Sequence, residues 1–181
     1  VTVNLASTAT VPTAPFSVNN GSTYSGAVPL GVYDSQGGDH TVTMYFRKTG
    51  DNTWDVYAAT DGTLMNSGAA VGTFTFDVDG RLATTSPTTL TLNVPVPAAV
   101  GGTLTVPIDM SKMTQQGSSF SVFEQSQTGY APGRLAGFSV GADGTIMSRY
   151  TNGQTLAQGQ VVLANFANPQ GLLSLGGNQW V

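Results

Sequence analysis

The sequence predicts an all-β protein: a mainly antiparallel, sandwich-like or barrel-like domain followed by a smaller β-rich segment from a second domain. Three observations carry this. Apolar and polar residues alternate with a period of two, which puts one face of a strand in a core and the other in water. Asp-Gly pairs at 61-62, 79-80 and 143-144 punctuate the chain, and both residue types tolerate the positive φ of tight turns. Long apolar stripes of helical spacing are missing, and nine prolines break every candidate helix.

The clearest element is a hairpin. Val42, Met44 and Phe46 alternate with Thr41, Thr43, Tyr45 and Arg47, and Trp54, Val56 and Ala58 alternate with Asp55 and Tyr57. Between them, Thr49-Gly50-Asp51-Asn52-Thr53 supplies turn residues. Further strands are expected at Val1 to Leu5, Val28 to Tyr33, Thr73 to Val78, Leu90 to Val94, Leu104 to Ile108 and Phe120 to Phe123. Beyond Pro132 they are expected at Leu135 to Val140, Ile146 to Tyr150 and Val161 to Asn165. Recurrence every ~10–15 residues fits stacked or closed sheets rather than strand–helix–strand units.

Gly129-Tyr130-Ala131-Pro132-Gly133 interrupts the pattern, so a boundary is expected there, giving domains at 1–128 and 129–181. The second part is too short to bury a good core alone. It is expected to pack on the first part or on a missing partner segment.

Charged residues make up only 9% of the 181 residues, against ~25% in ordinary globular domains. Hydroxyls and amides must therefore carry the surface. Ten acids against six bases give a net charge of −4, and no basic patch forms beyond Arg47-Lys48, which argues against nucleic-acid binding. With no Cys, disulfides, thiolate metal sites and thiol redox chemistry are excluded. No apolar run has the length of a membrane-spanning helix. The opening Val1-Thr2-Val3-Asn4-Leu5 reads as neither a start nor a signal peptide, and the chain is expected to be a fragment of a longer protein.

Candidate chemistry is thin. Lys48-Thr49-Gly50 matches an element of penicillin-binding enzymes, but Tyr45 and Asp109 stand where a Ser would have to precede Lys48 and Lys112. His40 is the only imidazole. Its neighbour Asp39 should point to the opposite face of a strand, and no nucleophile elbow accompanies it. Asp77-Val78-Asp79-Gly80 opens like a calcium loop, yet the only Glu is Glu124, so a strand ending in a turn is favoured. Asn20-Gly21-Ser22 has the N-glycosylation pattern, meaningful only in a secretory context. No pair of carboxylates stands out for glycosidase chemistry. No catalytic, cofactor-binding or metal-binding set emerges, and the chain is expected not to be an enzyme.

The outward face of the hairpin is the candidate site: Tyr45, Arg47, Asp55 and Tyr57, with Thr43 beside them. Aromatics among polar neighbours can form a subunit contact, stack on sugars, or simply pair across strands.

Two ordered blocks resemble the flagellar hook protein family. The first is Val32-Tyr33-Asp34-Ser35-Gln36-Gly37, then His40, then Tyr45-Phe46-Arg47-Lys48-Thr49-Gly50-Asp51-Asn52-Thr53-Trp54-Asp55-Val56-Tyr57. The second runs from Gly129-Tyr130-Ala131-Pro132-Gly133-Arg134-Leu135 through Asp143-Gly144-Thr145-Ile146 and Tyr150-Thr151-Asn152-Gly153-Gln154 to Val161-Val162-Leu163-Ala164-Asn165-Phe166-Ala167-Asn168-Pro169-Gln170-Gly171-Leu172. The resemblance implies a structural subunit of the extracellular hook, exported without a cleaved secretory signal and polymerising with other hook subunits into a curved tube. That tube works as a universal joint, passing motor torque to the filament. On this reading 1–128 is an outer domain and 129–181 the returning half of an inner one. Lacking the terminal helices, the fragment is expected to be monomeric in dilute solution. The rival class is an extracellular carbohydrate-binding or adhesin β-sandwich.

Overall fold

The computed structural model of the chain describes residues 1–162 and 165–181. They form two compact units, Val1–Pro132 and Gly133–Val181. Among the described residues helix is confined to single 3-10 turns, as the broken apolar periodicity requires.

The first unit contains β1 (Thr2–Ala6), β2 (Gly26–Tyr33), β3 (Asp39–Gly50), β4 (Thr53–Thr60), β5 (Thr63–Leu64), β6 (Gly72–Thr75), β7 (Thr89–Pro95), β8 (Thr103–Asp109), β9 (Thr114–Gln116) and β10 (Ser121–Glu124). Its main sheet has the order β2-β3-β4-β5, with β6 also paired to β4. β7 and β8 form a hairpin, and β1 lies between β10 and β9. Pairing is antiparallel apart from β1 with β9, which run parallel.

Alternation places the core. Val42, Met44 and Phe46 on β3 and Trp54, Val56 and Ala58 on β4 are buried, as are Val28, Leu30 and Val32 on β2. Leu90, Leu92 and Val94 of β7, Val3 and Leu5 of β1, and Met110 and Met113 join the same cluster. The core thus lies between the apolar face of the main sheet and the inward faces of the two smaller sheets.

Turn chemistry fixes the hairpins. β3 and β4 run up to a tight Asp51-Asn52 turn, with Asn52 at φ 55. At the far end of β4, Asp61 and Gly62 both take positive φ (47 and 81), the backbone that a two-residue hairpin demands.

The second unit contains β11 (Leu135–Val140), β12 (Thr145–Tyr150) and β13 (Thr155–Gln160) in one antiparallel sheet, then the short pair β14 (Ser174–Gly176) and β15 (Gln179–Trp180). The apolar cluster lies wholly in the first unit, while Phe138, Val140, Leu156, Leu173 and Trp180 of the second are exposed. A unit this short has too little interior to enclose them.

Two expected strands differ. The one expected over Thr73 to Val78 ends at Thr75, because Asp77 Oδ1 accepts hydrogen bonds from the amides of Asp79 (3.0 Å) and Arg81 (2.8 Å) and turns the chain; Val78 is left 95% exposed. Of the strand expected at Val161 to Asn165, residues 163 and 164 lie outside the described residues, and Val161 and Val162 are not in a strand. The third strand of that sheet is instead the polar β13.

A strapped outer face on the central hairpin

β3 and β4 pair in a register that sets Tyr45 opposite Tyr57 and Arg47 opposite Asp55. Alternation turns all four away from the core. The structure brings the two tyrosines together, yet the face they form is not bare. The segment from Ser7 to Tyr24 crosses it as a strap.

Two successive basic residues hold the strap from opposite faces of β3. Lys48, on the core side and only 8% exposed, donates from Nζ to the carbonyls of Ser7 (2.5 Å) and Ala9 (3.0 Å). Arg47, on the outer side, donates from Nη2 to the carbonyls of Pro12 (3.0 Å) and Ala14 (2.9 Å). Each cation thus meets backbone oxygens instead of a carboxylate. Such charge-assisted bonds are about twice as strong as neutral ones.

Aromatic packing completes the attachment. Phe16 stacks on Tyr57 with centroids 3.9 Å apart and planes inclined by 16°, and it also meets Tyr45 at 5.5 Å. Tyr24 approaches Tyr45 edge-on at 4.9 Å. A single 3-10 turn, Gly21–Thr23, shapes the return of the strap. There Asn20 Oδ1 accepts from the amide and hydroxyl of Ser22, so the side chain of the Asn-Gly-Ser motif caps a turn.

Arg47 and Asp55 are register partners but form no ion pair among the described residues. Asp55 Oδ1 accepts instead from the Thr73 hydroxyl of β6 at 2.7 Å. The strap was not foreseen, because its grip uses main-chain carbonyls, which every residue carries. Replacing Lys48 by Met should cost ~1–2 kcal/mol, since two bonds from a charged donor are lost, offset in part by relief from burying the charge. Limited proteolysis with mass spectrometry should find cleavage between Ser7 and Phe16 accelerated. Unchanged cleavage there would show that Lys48 does not hold the strap.

The other sequence motifs also have local work. His40 contacts two carboxylates, Asp61 through Nδ1 (3.1 Å) and Asp34 through Nε2 (3.4 Å), leaving neither ring nitrogen for a serine hydroxyl. Hydrogen bonding to Asp61 raises the His40 pKa above its ordinary value; desolvation opposes this and Asp34 reinforces it. The amide of Thr41, then His40, lowers the pKa of Asp61. Desolvation of Asp34 is outweighed by the amides of Gly38 and Gln36 and by His40, so its pKa is lowered as well. Asp77 is occupied in capping its own turn. Among the described residues no group of three or more His, Asp or Glu is arranged to hold a metal.

Fold and site together define a β domain whose polar side chains tie its own segments together. Residues 4–130 match the model of the flagellar basal body protein FlaE D2 domain, and the chain belongs to that family. It is 35% identical to the flagellar hook protein FlgE of Escherichia coli (strain K12) and 38% identical to that of Salmonella typhimurium (strain LT2). Each alignment covers 98% of this chain but 44% of the relative, so the chain spans less than half the length of these relatives. The crystal structure of Helicobacter pylori flagellar hook protein FlgE2 superposes with a TM-score of 0.53 at 21% identity, over 86% of this chain and 36% of that one. That likeness speaks to the fold.

Proposed function

We propose that the chain is a structural, non-enzymatic portion of a flagellar hook subunit, acting in the extracellular hook as part of a flexible joint that carries motor torque. The family match over residues 4–130 is the observation that supports this. Residues 1–128 would serve as the outer, contact-making domain and 129–181 as the returning half of an inner one. The partners are other copies of the hook subunit.

The surface chemistry suits such a role. No charged residue occurs before Asp34, between Arg81 and Asp109, or after Arg149, so the whole strap is neutral. Val11, Thr13, Ala14, Pro15, Asn19 and Ser22 are exposed along it. Short neutral side chains can exchange contacts through water with little desolvation or ordering cost, which favours sliding over a single locked register. Tyr45, Arg47, Asp55 and Tyr57 then act from beneath, as the platform that fixes the contact surface. Phe16 already occupies the face of Tyr57 that a sugar ring would need.

The test is a chimera in which this chain replaces the matching region of a full-length hook protein. Curved hooks and swimming cells are expected. Export of the chimera without hook assembly would overturn the proposal. The isolated chain should sediment as a monomer, and introduction of an Arg at Thr13 should stiffen hooks or impair swimming without lowering export.

A further inference from the structure

The turn between β2 and β3 is a junction. Asp34 closes it, accepting at Oδ1 from the amides of Gln36 and Gly38 (both 2.8 Å). Ser35 and Gln36 reach the carbonyls of Val100 and Ala99 in the β7–β8 loop (3.3 and 3.5 Å). Pro132 seats against Gly37 so closely that a Cβ at Gly37 would stand 2.4 Å from its Cγ. Gly129 lies on Tyr33, where a Cβ would stand 3.1 Å from Cδ2. The last residues of the first unit therefore rest on this turn and on the strand end that enters it.

One side chain ties the turn to the rest of the sheet. His40, at the start of β3, lies between Asp34 of this turn and Asp61 of the β4–β5 turn. Asp61 is itself fixed, accepting from the Thr41 amide through Oδ1 at 2.9 Å. The His40 side chain is 14% exposed, Asp34 7% and Asp61 55%. Asp39 is the adjacent acid on β3 itself; Asp34 and Asp61 are the charged groups facing the ring from the neighbouring turns.

We propose that His40 is a proton-operated clamp: as an imidazolium it pins the Asp34–Gly38 turn, and with it the 129–132 segment, to the end of the main sheet, and as neutral imidazole it lets them loosen. The reason is donor count. An imidazolium donates from both nitrogens and satisfies both carboxylates. A neutral ring has one N–H, so one of its two contacts must set a lone pair against a carboxylate oxygen. One bond is then lost or the turn moves.

The sign follows from the direction of the shifts. The folded pKa of His40 is raised, so its contribution is complete below the unfolded His value of ~6.5 and disappears as pH rises through the folded one. Asp34 and Asp61 are lowered, so their contribution is complete above the unfolded Asp value of ~3.9 and disappears as pH falls through the folded ones. The clamp is fully closed between those limits, in weakly acidic solution.

A single histidine in the chain gives one unambiguous imidazole signal for NMR titration. Wild-type His40 should titrate above its ordinary value, and Asp61→Asn should lower the midpoint more than Asp34→Asn. The amides of Gly37, Gly38, Gly129 and Tyr130 should titrate with the same midpoint. Once the intrinsic pH dependence of base-catalysed exchange is divided out, their protection should fall by about two- to tenfold above it, the scale of one net hydrogen bond. In His40→Gln these amide shifts should show no transition in that range while the core strands keep their protection. A His40 midpoint at the ordinary value overturns the clamp. So does a raised midpoint that the Gly37 and Tyr130 amides ignore. If an Asp variant fails to fold, the wild-type and His40→Gln titrations still decide.

Discussion

Replacing Trp54 by alanine is expected to cost ~3–5 kcal/mol of stability, the range for removing a large buried aromatic. Trp54 is fully buried near the start of β4, on the apolar face of the main sheet, paired with Lys48 of β3 and Phe74 of β6. Its indole N–H also donates to Gln115 Oε1 at 2.6 Å, and Gln115 Nε2 donates in turn to Asn52 Oδ1 at 2.6 Å. That chain of bonds joins β4, β9 and the β3–β4 turn. Truncation therefore leaves a cavity and strands a buried amide, which is itself only 5% exposed. Trp54→Phe separates the two effects: it keeps most of the volume and loses the donor, for an expected ~1–2 kcal/mol. Urea unfolding of both variants is the measurement. Equal losses would mean that the hydrogen bond, not the packing, dominates the site.

Trp54 also marks how far the sequence could be read. The β3–β4 hairpin was legible because Val42, Met44, Phe46, Trp54, Val56 and Ala58 keep a strict period of two, and all of them are buried. Its polar partners Tyr45 and Tyr57 could be assigned to the other face for the same reason. β9 could not be read, since Thr114-Gln115-Gln116 has no alternation. Its place comes from parallel pairing with β1 and from the Trp54–Gln115 bond, both of which join residues distant in the chain.

Val78 failed in the opposite direction. Phe74, Phe76 and Val78 continue a period of two, but a local carboxylate cap overrides strand pairing after Thr75. The strap shows a third kind of limit. Arg47 and Lys48 were visible as a basic pair, yet nothing in residues 7–24 announces that their carbonyls would receive those cations. The family was legible by resemblance, whereas the layer that covers the candidate site is a tertiary product.

The strap and the clamp place the polar groups of the first unit in one scheme. With few charges available, Arg47, Lys48, His40, Asp34 and Asp61 are all committed to internal attachments, and the strap itself is left neutral. A charge introduced on the strap therefore has no internal partner to satisfy it. It can act only on solvent or on whatever the strap touches, which is why such a substitution probes contact rather than folding.

Gly80→Ala is expected to lower stability by about 3 kcal/mol, by strain and displacement rather than by any lost side chain. Gly80 closes the Asp77 turn at φ 75, a left-handed backbone that costs an L-residue ~1–2 kcal/mol. Space is the larger problem. A Cβ there would stand 2.0 Å from the carbonyl oxygen of Gln115, and the Gln115 amide donates to the Gly80 carbonyl at 2.8 Å. Backbone cannot yield as a side-chain tip can, so β9 must shift away from the turn and draw Gln115 off the Trp54 indole. Gly62→Ala is the control, because Gly62 has φ 81 with open space around the added methyl and should show the ~1–2 kcal/mol of strain alone. In urea unfolding the Gly80 variant should lose clearly more than the Gly62 variant. Nitrogen-15 spectra should show the Trp54 indole N–H displaced only in the former. Matching losses, or an unmoved indole signal, would show that β9 is not held in place by that turn.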